Sequence, residues 1–442
     1  MAASRNSTPA DPLLGLAAWL QPRLPAGAEL WVGLSGGRDS VVLLHLLRQL
    51  LPSGQLRAVH VHHGLSPHAD AWAGFCAELC RDWSIPLTLQ RVQVSRAPGP
   101  GLEAAARQAR YQAYRDCGIR YLALAHHRRD QAETLLFNLC RGTGVAGAAA
   151  MPGQRAWQDM VLLRPLLAWS GAAVAAYGAR HGLAWVEDES NQDQAYSRNF
   201  LRHRVLPLLE SRFPAAEATL ARAAGHFADA RELLAELAAQ DQLLVQGRVA
   251  PLLNLSPARQ ANWLRHWLAA AGWHPPEAAA LAEALRQLAV TPADGHFELC
   301  LAEGAVRLWR GQLYRVPFPG PLPAPCAWDG SGVLDWGGGR LQLRPGAAGI
   351  RPDALLGRRL ELRSRQGGEC LRLGPGRPSR PLKKLLQESG VPPWERPLLP
   401  LLFLDGELLA CPGVGVAAAW QSGAGEPGLL PCWEGPGLSC GD

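Results

Sequence analysis

Short apolar runs alternate with longer helical stretches from residue 30 to about residue 185. Residues 29–34, 56–61, 87–94 and 121–125 read as strands, and 41–51, 72–83 and 102–117 as helices, the first of them apolar nearly all round. Near-continuous apolar strands separated by helices predict an α/β fold with a parallel sheet covered on both faces, whose ligand lies beyond the carboxyl ends of the strands. Around Pro207 the character changes. A long helical pattern runs from 215 to about 245, with Leu220, Phe227, Leu234 and Leu237 on one side. Ser256-Pro257 starts a further helix as a cap followed by proline in the first turn, and Trp263 and Trp267 share one of its faces as core residues. Residues 297–313 read as a strand pair, and 316–325 as a stiff, proline-rich stretch. Residues 360–365 alternate apolar and charged positions like a half-exposed strand.

These changes predict an N-terminal α/β domain over 1–212, a mainly helical domain over 213–318, a Pro/Gly-rich linker over 319–351 and a small α+β domain over 352–435, with the tail after Gly423 read as loose. A chain of 442 residues is long enough for two or three domains at about 100–200 residues each. Its 48% hydrophobic and 19% charged residues supply ordinary globular cores. The formal net charge of +6 fits an anionic partner such as RNA. Nearly every cation is arginine, Lys383 and Lys384 being the two lysines, so abundant arginine by itself says little about RNA. Ten cysteines without a CxxC pair suggest reduced thiols, and Cys76 and Cys80, one helical turn apart, read as packing residues. Neither a signal peptide nor a membrane span is evident, which predicts a cytoplasmic protein.

The strongest chemical signal is Leu34-Ser-Gly-Gly-Arg-Asp-Ser40, between an apolar strand and an apolar helix. Gly36 and Gly37 let backbone N–H groups approach an anion, and the positive end of the following helix adds a fixed field. Ser35 and Ser40 supply hydroxyls, and Asp39 a carboxylate for Mg2+. A Walker A sequence is not present, which disfavours γ-phosphate transfer. The loop resembles the PP-loop of the ATP pyrophosphatases, which implies ATP as the bound nucleotide and transfer of AMP to a substrate oxygen.

Further segments narrow the resemblance. Glu103, Arg107, Arg110 and Tyr111 lie at helical spacings of three and four. The fourth strand leads into His126-His127-Arg-Arg-Asp130-Gln-Ala-Glu133-Thr134, followed by Arg141-Gly-Thr-Gly144 and Arg164-Pro-Leu-Leu167. Glu187-Asp188-Glu-Ser190-Asn191-Gln-Asp193 then leads to Tyr196-Ser-Arg198-Asn199-Phe-Leu-Arg202. In order and spacing these resemble the bacterial tRNA(Ile)-lysidine synthetases over about 30–210. The likeness resumes in Leu382-Lys-Lys-Leu-Leu386 and Val391-Pro-Pro-Trp394-Glu-Arg396. Two departures stand out: Arg129 occupies the first of two positions where that family usually has adjacent aspartates, and 145–151 is poorer in Gly and Leu than usual.

The resemblance implies that ATP adenylates O2 of the wobble cytidine in a CAU-anticodon isoleucine tRNA. The amine of free L-lysine then attacks C2, giving lysidine and AMP and changing codon recognition from AUG to AUA. It implies ATP contacts from Ser35 to Ser40 (Arg38 among them), His62 and His127, with Mg2+ on Asp39. It further implies catalytic roles for Asp39, Arg107, Asp130, Glu133 and Arg198, and tRNA contacts from Arg110, Arg202, Lys383, Lys384 and Arg396. The proton of the lysine nucleophile goes to Glu133 or a histidine. His60, His62 and His63 invite a metal reading, but strand alternation sets His62 opposite its neighbours, so adenine or ribose contact is preferred. No membrane partner is expected, and a homodimer is left open. The rival readings are another PP-loop tRNA-modifying enzyme, such as a thiolase, and a non-catalytic tRNA-binding protein with a vestigial nucleotide fold.

Overall fold

A buried strand has to pair its backbone N–H and C=O groups, and the apolar runs of the N-terminal half do so in one sheet. The computed structural model describes residues 12–94, 102–189, 197–318, 320–347, 349–423 and 425–435. It divides into a first unit reaching Leu234 and a second starting at Ala235.

The first unit opens with α1 (Pro12–Leu20), β1 (Leu30–Gly33), α2 (Arg38–Leu50), β2 (Leu56–His62), α3 (Ala69–Asp82), β3 (Leu87–Arg91), α4 (Leu102–Asp116) and β4 (Tyr121–Ala123). It continues with α5 (Arg128–Cys140), α6 (Val145–Ala148), the hairpin β5 (Gln154–Trp157) and β6 (Met160–Leu163), and α7 (Gly171–Arg180). Then come α8 (Ser197–Phe200), a π-helical turn over Leu201–Val205, α9 (Leu206–Arg212) and the long α10 (Ala216–Val245), whose residues from Ala235 onward belong to the second unit. The sheet order is β3-β2-β1-β4-β6-β5, parallel except for the antiparallel edge strand β5. The chain winds outward from β1 to β3 and then returns to β4 on the other side of β1. The carboxyl ends of β1 and β4 therefore form the switch point where such sheets open a crevice for ligands.

The strands and helices expected up to residue 125 are present. The hairpin β5–β6 escapes the apolar pattern because Gln154, Arg155 and Ala156 are exposed. α2 is apolar all round because it is buried all round: Val41, Val42, Leu43, Leu44, Leu46 and Leu47 are fully inaccessible. Truncating one such leucine to alanine costs about 2–5 kcal/mol. The first unit runs past the expected boundary at residue 212, because Leu220, Ala224 and Phe227 of α10 pack on Leu135 of α5 and Ala148 of α6.

The second unit holds α11 (Val249–Leu253), α12 (Pro257–Ala269), α13 (Ala278–Val290) and a meander of β7 (Glu298–Cys300), β8 (Gly304–Trp309) and β9 (Gln312–Pro317). β10 (Cys326–Trp328), β11 (Val333–Trp336), β12 (Gly339–Gly346), α14 (Pro352–Leu355), β13 (Leu360–Arg363), β14 (Cys370–Leu371), β15 (Arg380–Pro381) and α15 (Leu382–Glu388) follow. β16 (Leu401–Leu404), β17 (Glu407–Cys411), β18 (Gly415–Val416) and β19 (Gly428–Glu434) complete it. Trp263 is in the helical core, 1% exposed and stacked on Trp267.

Two expectations are corrected here. The stretch 319–351 is not a plain linker: β10 pairs with β13, and β11 and β12 form a hairpin. Two of its glycines are turn residues. Gly337 and Gly338, at φ +59 and +78, supply the two positive-φ positions that a two-residue hairpin requires. The tail after Gly423 is not loose as a whole either, since β19 pairs with β12 from Gly428 to Glu434 and buries Trp433 at 3% exposure. Composition marked both segments as irregular; pairing with a distant strand ordered them.

Candidate active site at the switch point

β1 ends at Gly33 and the chain turns through Ser35 and Gly36 into α2. Gly36 is at φ +88, and a Cβ there would stand 2.9 Å from Val186 Cγ2 and 3.2 Å from Cys76 Sγ, so only glycine fits. The Gly36 carbonyl accepts the Val186 N–H at 3.0 Å, which lays the segment leading to Glu187 and Asp188 against the loop. The Ser40 hydroxyl donates to the Gly37 carbonyl at 2.8 Å and stands 3.1 Å from the Ser35 hydroxyl, while Ser35 Oγ accepts the Gly37 N–H at 3.3 Å. No side chain caps the N-terminus of α2. A rigid loop with two hydroxyls and an uncapped helix start fits the phosphates of a nucleotide.

Asp39 is held by Arg38 and His127. Arg38 Nε donates to Oδ1 at 2.9 Å, and His127 Nε2 lies 3.4 Å from Oδ2. Burial works against the charged carboxylate, but His127 and Arg38 outweigh it, and the Asp39 pKa falls below its ordinary value. His127 caps α5: its Nδ1 accepts the Arg129 N–H at 3.2 Å, and Asp130 Oδ2 returns a bond to the His127 N–H at 2.8 Å. Burial opposes the imidazolium here as well, yet Asp39 and Asp130 raise the His127 pKa above the usual histidine value. The neighbouring His126 goes the other way: burial pushes it down to about 3. The two adjacent imidazoles are thus shifted in opposite directions. Asp130 stays below the ordinary range, since His127, His126 and Arg202 overcome its desolvation.

Glu133, one turn further along α5, is fully buried. Arg202 grips it with Nε at 2.6 Å from Oε1 and Nη2 at 2.9 Å from Oε2, and the same Nη2 reaches Asp130 at 3.0 Å. Arg198 donates to Thr134 Oγ1 at 2.9 Å and stands 3.7 Å from Glu133 Oε2. The π-helical turn that carries Arg202 is a distortion common at functional sites. Arg202, expected on an RNA-facing surface, instead turns inward onto the two carboxylates. Arg129, in the place of a usual aspartate, points away from them: its Nη2 donates to the Arg202 carbonyl at 3.2 Å and its Nη1 lies 3.6 Å from Glu210. It ties the π-helical turn and α9 to α5.

The structure brings together Asp39, His127, Asp130, Glu133, Arg198 and Arg202. Arg107 lies to one side on α4, its Nη2 donating to the Tyr111 hydroxyl at 3.1 Å, and Arg110 is exposed on the same helix. His62 ends β2 with Nε2 3.2 Å from Asp70. His60, two residues earlier, faces α3 as His62 does, with Nδ1 2.8 Å from the Leu34 carbonyl and 3.5 Å from Cys76 Sγ. The two histidines therefore share a face, as a period of two demands, which corrects the expectation for His62. Among the described residues no cluster of three or more His, Cys, Asp or Glu side chains could hold a metal alone. Asp39 fits a Mg2+ ion whose other ligands come from phosphate oxygens and water.

Sequence reading passed over Arg164 as more than a motif letter. It is 2% exposed, donates from Nη1 to the Pro152 carbonyl at 2.7 Å and bonds the Tyr111 hydroxyl. It also passed over Val186, which seals the loop. In the second unit Lys383 and Lys384 are exposed on α15, while Leu382, Leu385 and Leu386 are buried. Arg396, expected beside them on a basic surface, is half-buried: it donates to the Val391 carbonyl at 2.9 Å and lies over the Trp309 ring. The segment 190–196 lies outside the described residues.

A Gly-Gly-x-Asp-Ser loop at the switch point of a parallel sheet, without a Walker lysine, defines a PP-loop ATP pyrophosphatase domain, and the PP-loop domain family model matches residues 16–209. The models of the TilS substrate binding domain and the TilS substrate C-terminal domain match 248–314 and 360–433. The chain is 42% identical to a tRNA(Ile)-lysidine synthase from Nitrosomonas europaea over 98% of each chain, and 43% identical to one from an Azoarcus species over 92% of each. Among solved structures it is similar to the U34-tRNA thiolase NcsA from Methanococcus maripaludis, at TM-score 0.42 and 16% identity over 48% of this chain and 76% of that one. The chain belongs to the tRNA(Ile)-lysidine synthase family, a family of ATP-using ligases.

Proposed function

We propose that this chain ligates free L-lysine to C2 of the wobble cytidine of a CAU-anticodon isoleucine tRNA, through an ATP-derived adenylate at O2. The observation that carries this reading is the Asp39–His127–Asp130–Glu133–Arg202 network at the mouth of the Ser35–Ser40 loop, in a chain that matches both substrate domains of the family. The loop and the start of α2 bind the triphosphate. Bound through Asp39, Mg2+ would neutralise the charge that develops on the leaving pyrophosphate. Arg198 adds fixed positive charge near the reacting atoms. The lysine amine has to lose a proton to attack. Both Glu133 oxygens are already taken by Arg202, and burial pushes His126 down to about 3, too weak a base. His127 would take the proton in its neutral form, the form in which Nδ1 accepts the Arg129 N–H. The reaction requires no membrane, and no helix among the described residues is long and apolar enough to cross one. We place the reaction in the cytoplasm and leave a homodimer as an open assembly.

The test is to incubate the protein with ATP, labelled lysine and unmodified transcripts. Label should enter the wobble cytidine of the CAU isoleucine tRNA and not a methionine tRNA with the same anticodon. Equal labelling of both would overturn the discrimination, and no lysine incorporation would overturn the reaction. A thiolase would leave lysine unused.

A further inference from the structure

Beside the catalytic network, α4 and the edge strand β5 enclose a pocket of about 350 Å³ that the proposed chemistry does not use. Its size falls at the small end of ligand pockets, about 300–1,000 Å³. Arg107, Gln108 and Tyr111 line one wall, and Arg155, Trp157 and Gln158 the other. No carboxylate lines it. The Tyr111 and Trp157 rings meet edge to face at 5.1 Å, and the Arg107 guanidinium lies 5.0 Å over Tyr111. Buried Arg164 bonds the Tyr111 hydroxyl from behind, so the aromatic wall is fixed before any ligand arrives. Trp157 is only partly buried, and Gln108, Arg155 and Gln158 are exposed.

Two aromatic rings, two guanidinium groups and amide side chains match one unstacked nucleotide. A base stacks on the rings, its phosphate meets an arginine, and an amide offers both a donor and an acceptor to a base edge. Free lysine fits poorly, because its ammonium groups would face two arginines with no acid to receive them. ATP fits poorly as well. β5 is three strand spacings from β1, about 14 Å across the sheet, and no residue of the phosphate loop lines the pocket. For the same reason the reacting cytidine, which must meet the α-phosphate at that loop, is not the occupant.

We infer that the Tyr111–Trp157 pocket holds the adenine that follows the modified cytidine in the CAU anticodon, splayed out of the loop stack so that the cytidine can turn toward ATP. This rests on the lysidine reading above and adds a second base-holding site to it. Trp157 and Arg155 thereby act as substrate-positioning residues.

The experiment uses the full-length protein and an anticodon stem-loop RNA carrying 2-aminopurine in place of the CAU adenine. Binding should quench its fluorescence, and Trp157→Ala should abolish the quenching. With unmodified transcript, Trp157→Ala and Arg155→Ala should each raise KM for tRNA about tenfold, leaving KM for ATP and kcat at saturating tRNA within about twofold. Trp157→Phe should restore most of the loss, and the unchanged KM for ATP and kcat separate lost base-stacking from a merely structural defect. An unquenched probe that binds, or an unchanged KM for tRNA in both alanine variants, overturns the site. Failure of the wild-type protein to incorporate lysine at all would instead overturn the function beneath it.

Discussion

Asp39 sits where the loop, the start of α2 and the cap of α5 meet, and its charge decides what the loop can do. Arg38 and His127 hold it ionised at any pH above the ordinary carboxylate range. Asp39→Asn keeps the shape and one acceptor oxygen but removes the charge that would meet the metal. Loss of one such stabilising group typically costs about 10²–10³ in rate. AMP formation should fall by that amount while tRNA binding persists, and near-normal AMP release would remove Asp39 from this role. Glu133 and Arg202 illustrate a different limit. Their motif positions were legible, but a buried carboxylate needs a partner, and only the folded chain shows that Arg202 supplies it rather than reaching for RNA.

At the scale of the element, α5 is the hub, because its cap and first two turns carry His127, Asp130 and Glu133. His127 serves as both N-cap and ion-pair partner of Asp39, so His127→Ala should cost about 1 kcal/mol for the cap and somewhat more for the pair. The pH dependence follows from the raised pKa. A group whose folded pKa lies above its unfolded value stabilises fully below the unfolded value, about 6.5, and loses that contribution as pH rises through the folded one. Asp39 and Asp130, both depressed, stay charged through this range. Urea unfolding should therefore show a larger wild-type advantage over the variant at about pH 6 than at about pH 9. An equal gap at both would mean that the imidazole charge is not used.

For the whole molecule, the chemistry falls in the first unit and the exposed lysine pair in the second. Leu382, Leu385 and Leu386 anchor the inner face of α15, which leaves Lys383 and Lys384 outward. Arg380 is paired with Glu388, and Arg396 is engaged with Val391 and Trp309, so the exposed lysines are the cations of this face that point to solvent. Phosphate contacts of this kind position RNA without reading it. Lys383→Ala combined with Lys384→Ala should weaken tRNA binding and lower its salt slope by about two phosphate contacts, with ATP affinity unchanged. A titration against salt concentration decides it: an unaltered slope would place this face away from RNA.

Sequence by itself determined the parallel α/β unit, the nucleotide loop, the helical start at Ser256 and the family. Each is a local matter: apolar period, turn residues and contiguous motifs lie close along the chain, and short-range sterics read them without the rest of the fold. Tertiary structure alone decided the others. It made strands of 326–346 and 428–434, whose backbone groups find partners only across the sheets that β12 and β13 build. It turned Arg202 onto Glu133, released Arg129 to brace α9, set His127 against Asp39 and assembled the Tyr111–Trp157 pocket. The partners in these contacts are tens of residues apart, and the cost of burying a charge or a polar backbone unpaired is settled only when the chain brings them together.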